Sequence, residues 1–332
     1  MWDANMEKST DILKQIVEIL PQNLRHIAII SPAGGCSQAE LNAGIDFFKK
    51  LNLQVSLFAP KNGQNNEQYS YLADSIEERV KAFEQCFSDD SIDLIICSRG
   101  GYGCVQLIDK INWNLVKKRQ EYKPLPIVGY SDITALHLAM LSYVDSDNSN
   151  IAIAGIMSNR LPLLVEERDI FSLNSWANVI KNIFNKNYNI LEITDCDLNL
   201  NLTNNGAITD EVNLVMPLNL AVLASLCGTE FLTPKLFDNK VIILEDISEP
   251  LYKIDRYLQQ LKLSGVFQNI RGVIVADFKD CGEYSDVVNL VCDIFSDKEY
   301  FLQLKFIASN LNFGHSFPSR SVIFNDKVSF KF

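Results

Sequence analysis

Apolar residues along this chain alternate between two rhythms. His26-Ile27-Ala28-Ile29-Ile30 is a β-branched run that stops at Ser31-Pro32-Ala33-Gly34-Gly35, which predicts a strand ending in a loop. Ser37 then stands three residues before Glu40, a capping-box spacing that opens a helix through Lys50. Leu53 to Phe58 reads as a second strand. Ile76 to Phe87 carries Ile76, Val80, Phe83 and Phe87 on one helical face. Ile92 to Cys97 is a third strand, broken by Arg99-Gly100-Gly101-Tyr102-Gly103, and Pro126 to Tyr130 is a fourth, followed directly by a helical run from Asp132 to Leu141. Strands separated by helices pair in parallel through right-handed crossovers, so the first half predicts an open α/β sheet. In such sheets ligands bind beyond the carboxyl ends of the strands.

Asn182 to Asn205 is rich in Asn and Asp and weakly periodic, which predicts loop or linker. The second half resumes the strand and helix rhythm. Leu214 to Leu226 leads to the strand Val241 to Leu244, a helix from Tyr252 to Leu263, the strand Gly272 to Ala276 and a helix from Asp286 to Ile294. The expected organisation is a first α/β domain over 1–160, a linker region over 161–205 and a smaller α/β domain over 206–332. A length of 332 residues agrees with two domains.

Composition narrows the function. The chain is 47% hydrophobic and 21% charged, in the globular range, which excludes a disordered or fibrous protein. Lys plus Arg is 30 against 41 for Asp plus Glu, a net charge of −11, which argues against nucleic acid or an anionic membrane as partner. A small molecule or another protein is the expected partner. No run of 18 apolar residues occurs, and Met1 to Gln22 alternates at helical spacing without the basic start and apolar stretch of a signal peptide. A cytoplasmic protein is therefore expected. Eight cysteines without a C-x-x-C pair read as small buried hydrophobes, and no His/Cys/Asp cluster has metal-ligand spacing, so no metal site is expected.

Ser131 is the sharpest chemical candidate. It lies between a strand and a helix in Val128-Gly129-Tyr130-Ser131-Asp132, where a hydroxyl faces the ligand cleft and helix-start N–H groups stand ready for an oxyanion. The competing reading is a plain helix N-cap, and Ile133 occupies the place of the hydrolase elbow's second glycine. A serine nucleophile needs a base, and only three histidines exist. His26 sits at the wrong end of the first strand. His137 lies six residues into the helix that Ser131 starts, about 240° round and roughly 9 Å along, too far to share a proton. His315 remains, in the loop Phe313-Gly314-His315-Ser316-Phe317-Pro318. Glu245, at the end of its strand, is the candidate carboxylate to orient it, and alternation is expected to send its neighbour Asp246 to the opposite face. The turn from Arg99 to Gly103 lacks the spacing of a phosphate loop, and its glycines would equally let backbone N–H groups approach a substrate.

In order along the chain, these segments resemble the LD-carboxypeptidases of the S66 serine peptidase family, including its microcin-immunity branch. The resemblance rests on Tyr71-Leu72-Ala73 with Glu78-Arg79, Arg99-Gly100-Gly101-Tyr102-Gly103, Gly129 to Leu136, Leu244-Glu245-Asp246, Tyr252 to Arg256 with Leu258, Leu261 and Gly265, and Gly314-His315. It implies a flavodoxin-like N-terminal domain, a smaller C-terminal domain, and a cleft holding Ser131 as nucleophile, His315 as base and Glu245 as its orienter. It further implies an oxyanion hole from the N–H groups of Gly101 and Asp132, substrate contacts from Arg99, Gly100 and Tyr102, no metal or cofactor, and a homodimer. The implied reaction is release of a terminal D-residue, typically D-alanine, from a cytoplasmic murein tetrapeptide; the microcin branch instead cuts a peptidyl or aminoacyl nucleotide. A binding module of the same fold without turnover is the non-enzymatic alternative. Three segments depart from the family pattern: Met216-Pro217-Leu218-Asn219-Leu220 in place of Gly-Gly-Asn-Leu, Ala154-Gly155-Ile156-Met157 in place of His-Gly-Pro, and Val322-Ile323-Phe324-Asn325 after the histidine. With a net charge of −11, a local cation such as Arg99 has to receive the carboxylate of an anionic peptide.

Overall fold

Strands β1 (His26–Ile30), β3 (Leu94–Cys97) and β4 (Ile127–Gly129) are buried at every position, as continuous hydrophobic runs are when helices cover both faces of a parallel sheet. The computed structural model describes residues 2–58, 69–144, 151–186, 191–202 and 212–330. The chain divides into two units, Met1–Asn187 and Tyr188–Phe332.

In the first unit, β2 (Gln54–Phe58) and β5 (Ala152–Ala154) join these strands entirely in parallel, in the order β5-β4-β3-β1-β2. This is the flavodoxin-like order, whose direction of growth reverses between β1 and β3. The loops after β1, β3 and β4 therefore leave the same edge of the sheet beside that reversal. The helices are α1 (Trp2–Ile19), α2 (Gln38–Lys50), α3 (Ile76–Ser88), α4 (Trp113–Tyr122), α5 (Thr134–Tyr143), α6 (Leu161–Glu167) and α7 (Ile170–Phe184). The capping box at α2 forms as expected: the Glu40 N–H donates to Ser37 Oγ at 3.2 Å and the Ser37 N–H to Glu40 Oε2 at 2.8 Å. Phe47 and Phe48 of α2 pack on Trp176 of α7, each with ring centroids 6.1 Å apart. The segment read as linker from residue 161 thus begins with two helices, and their apolar faces complete the first unit's core.

The second unit holds a seven-stranded mixed sheet in the order β6-β13-β8-β9-β10-β11-β7. Its parallel centre is β8 (Val212–Asn219), β9 (Lys240–Ile247), β10 (Gly272–Lys279) and β11 (Phe306–Ser309), linked through α8 (Leu220–Ser225), α9 (Leu251–Leu263) and α10 (Tyr284–Phe295). β13 (Lys327–Phe330) and β7 (Asp197–Asn201) flank this centre antiparallel, β6 (Leu191–Ile193) lies outside β13, and β12 (Val322–Ile323) is a two-residue strand. Residues 191–201, expected as loop, therefore supply both edge strands of this sheet. Among the described residues no helix is long and apolar enough to cross a membrane.

Candidate active site

β4 ends at Gly129, and the chain turns sharply into α5. Tyr130 is extended, Ser131 takes φ +61, and residues 131–133 form a single 3-10 turn. A non-glycine residue in the left-handed region costs about 1–2 kcal/mol. Such a strained serine between strand and helix is the geometry of a nucleophile elbow. The plain N-cap reading does not hold: Tyr130 occupies the cap position of the 3-10 turn, and no side chain caps that turn or α5. Ile133, in place of the elbow's second glycine, is accommodated by Gly129, where a Cβ would meet Ile133 Cγ1 at 2.8 Å.

The turn after β3 reaches Ser131 through its missing side chains. A Cβ on Gly100 would lie 3.1 Å from Ser131 Cβ and 3.2 Å from its Oγ, so a side chain there would crowd the hydroxyl, and glycine lets the backbone pass close by. Among the described residues no backbone acceptor takes the N–H of Gly101 or of Asp132. Asp132 is buried and accepts the Cys104 N–H at 2.8 Å; burial pushes its carboxyl up, against the hydrogen bonds from Cys104 and the charge of Arg79. Arg99 is exposed, with Nη1 3.4 Å from Gly35 O. The Tyr102 ring is also exposed and stands edge-on to Tyr71 with centroids 5.8 Å apart.

Arg79, quoted above for resemblance alone, anchors this region. It is 3% exposed, donates from Nη1 to Pro32 O at 2.8 Å and Gly103 O at 3.0 Å, from Nη2 to Gln106 Oε1 at 2.7 Å, and from Nε to Asp74 O at 3.0 Å. One guanidinium thereby ties the loop after β1, the start of α3 and the glycine turn together. Fixed fork geometry makes arginine the side chain suited to this.

In the second unit, His315 Nδ1 lies 2.6 Å from Glu245 Oε2, across 70 residues of sequence. Glu245 is 1% exposed and pairs in register with Asn219 of β8. Asn219 Nδ2 donates to Glu245 Oε1 and to Asp246 Oδ1, both at 3.1 Å, while its own Oδ1 caps α8 by accepting the Val222 N–H at 3.0 Å. Alternation therefore does not separate Glu245 from Asp246: pairing of β9 with β10 is irregular between Val275 and Phe278, and one buried amide reaches both carboxyls. Burial, then the neighbouring Glu245, pushes Asp246 up to about 7. Its Oδ2 also accepts the Ala221 N–H at 2.9 Å. Burial alone would lower the pKa of His315, but the charge and hydrogen bond of Glu245, with Asp246 and Asp277 behind it, outweigh burial and raise it. A bond from Nδ1–H to Glu245 places the lone pair of the neutral ring on Nε2, the tautomer that a general base requires.

The other histidines do different work. His137 is fully buried with Nε2 3.3 Å from Ile127 O, and burial pulls its pKa down to about 3. His26 lies between Ser56 Oγ at 2.8 Å and Ser91 Oγ at 3.1 Å, at the amino end of β1. Sequence reasoning gave no role to Arg79, Asn219 or Asp277. Asn219 was visible only as the residue kept where the family's glycines are lost.

The family model for the LD-carboxypeptidase N-terminal domain matches residues 27–147, and that for the LD-carboxypeptidase C-terminal domain matches residues 215–330. The chain is 30% identical over 256 residues to the probable murein peptide carboxypeptidase of Bacillus subtilis, covering 77% of this chain and 72% of that protein. Its fold is similar to the muramoyltetrapeptide carboxypeptidase of Oxalobacter formigenes, with TM-score 0.67, 20% identity and coverage of 91% and 93%. It is also similar to the microcin C7 self-immunity protein solved with aspartyl sulfamoyl adenosine, with TM-score 0.68, 17% identity and 92% coverage of each chain.

Proposed function

The chain belongs to the LD-carboxypeptidase family, a family of carboxypeptidase hydrolases, and from that premise we propose a serine mechanism carried by Ser131, His315 and Glu245. The substrate of this reading is a murein tetrapeptide in the cytoplasm, and the product released is its terminal D-alanine. The observation that carries it is the 2.6 Å bond between His315 and the buried Glu245, because it holds the imidazole in the tautomer that accepts a serine proton.

In the reaction, His315 Nε2 takes the Ser131 proton as Oγ attacks the carbonyl carbon of the L,D-amide. The oxyanion is held by the N–H groups of Gly101 and Asp132. Collapse of the tetrahedral intermediate expels the D-residue's amine, which receives the proton from His315. Water, deprotonated by the same histidine, then attacks the acyl-enzyme ester, and as the ester bond breaks His315 passes that proton to Ser131 Oγ. Arg99 receives the substrate's terminal carboxylate through a charge-assisted bond, and Gly100 and Tyr102 line its path. In each half-reaction His315 takes one proton and gives it up again, the first to the leaving amine and the second to Ser131, so the scheme balances without a metal or cofactor. The working enzyme of this reading is a homodimer.

Incubation of the protein with murein tri-, tetra- and pentapeptides and with aspartyl sulfamoyl adenosine, with products identified by mass, tests this reading. Release of D-alanine from the tetrapeptide supports it. Cleavage of the adenosine conjugate alone moves the protein to the microcin-type reaction, and cleavage of nothing leaves a binding module. Sedimentation velocity tests the dimer.

A further inference from the structure

Three carboxylates act on the His315 imidazole: Glu245 and Asp246 from β9, and Asp277 from β10. The mechanism above uses the first, and the second shares its amide donor. Asp277 is unassigned, yet it holds the histidine's loop from both sides. Its backbone N–H donates to Phe313 O at 3.0 Å, two residues before His315, and its Oδ2 accepts the N–H of Ser316, one residue after it. Gly314 adopts φ +139, and a Cβ there would lie 2.6 Å from Asp277 Cβ and 3.3 Å from Glu245 Cβ. The loop thus passes against both acidic side chains at a position that only glycine can occupy.

We propose that Asp277 is the positioning residue of the general base: it seats the His315 loop so that Nδ1 meets Glu245, and its charge supports the imidazolium formed during turnover. This rests on reading His315 as the base. Holding Ser316 N–H needs only an acceptor oxygen, which an amide would also supply. The negative charge is the property that distinguishes a base-tuning residue from a loop anchor. Two other titratable neighbours feel Asp277. Burial pushes Cys281 up to about 11 and Tyr284 of α10 up to about 12, so both stay neutral where His315 titrates.

Asp277→Asn keeps an acceptor and removes the charge; Asp277→Ala removes both. The chain has three histidines, so imidazole NMR resonances followed against pH report His315 directly, assigned by its loss in His315→Ala. In Asp277→Asn the imidazolium loses a stabilising charge, so the His315 titration and the acid limb of kcat/KM both move to lower pH. In Asp277→Ala the loop loosens and plateau kcat falls about 10-fold or more, with KM little changed. The inference is overturned if His315 titrates in Asp277→Asn as it does in the parent protein. That resonance needs no turnover. A shifted titration in a protein that cleaves no peptide sinks the peptidase reading alone, and an unshifted one in an active peptidase sinks this inference alone.

Discussion

Around Ser131 the groups that shape the site belong to the main chain: a left-handed serine, the bare backbone of Gly100, and two N–H groups outside any ladder. Around His315 they are side chains: Glu245 bonds the ring, the charges of Asp246 and Asp277 act on it, and one carboxamide bonds both carboxyls of β9. The first arrangement stores strain in the backbone and is held from behind by Arg79. The second concentrates acidic groups in a buried place and stabilises them by sharing Asn219. The difference teaches where each half is vulnerable. The serine half fails when a side chain or a tether changes the path of the main chain. The histidine half fails when the balance of charge changes.

The largest expected effect comes from the hydroxyl itself. Ser131→Ala should lower kcat by about 10³ or more with the fold intact, checked by kinetics and circular dichroism on the purified variant. Ser131→Gly loses the same activity but relieves the φ +61 strain, so it should unfold later than Ser131→Ala by about 1 kcal/mol. Equal stability of the two would remove strain from the description of this half.

Next comes the orienting acid. Glu245→Gln should cost roughly 10²–10³ in kcat, and Asp246→Asn about 10-fold, because Glu245 Oε2 bonds the imidazole directly while Asp246 bonds Asn219 and the Ala221 N–H. The reverse order in steady-state kinetics would transfer the role to Asp246. The raised pKa of His315 sets the signs of two pH effects. The proposed mechanism needs the neutral ring, so on that reading kcat/KM should fall on the acid side with a midpoint above the ordinary histidine value of about 6.5. Stability runs the other way: a raised folded pKa contributes stability that is fully present below the unfolded pKa and is lost as pH rises through the folded one. Thermal unfolding of the parent protein against His315→Ala across that window checks the second sign.

Arg79→Met should lower kcat about 10-fold by releasing the glycine turn from the loop after β1, and Arg79→Lys should restore little, since one ammonium cannot replace the fork. The smallest effect is expected at the exposed rim. Arg99→Gln should raise KM about 5-fold with kcat nearly kept, as loss of uniform substrate binding does.

Much of this was legible in residue order. Val128 to Asp132 reads as strand, turn and helix start because each step is local, and the glycines after Cys97 mark a turn for the same reason. His315 could be reached by elimination among three histidines. The edge strands were not legible. Asp197-Leu198-Asn199-Leu200-Asn201 does alternate, but its polar residues carry loop propensity, and only antiparallel pairing with β11 makes it a strand. Asn219 was equally hidden, because its partnership with Glu245 is a matter of register between β8 and β9.

What residue order alone determined is the alternation of strands and helices, the placing of Ser131 between a strand and a helix, and the inventory of possible bases, since propensity, glycine spacing and hydrophobic period act over a few residues. Only the tertiary structure decided that Glu245 meets His315 across 70 residues, that one amide serves two carboxyls, and that Arg79 and Asp277 each grip a loop. Those contacts depend on which strands become neighbours, and strand order is settled by burial of the whole sheet, not by any segment within it.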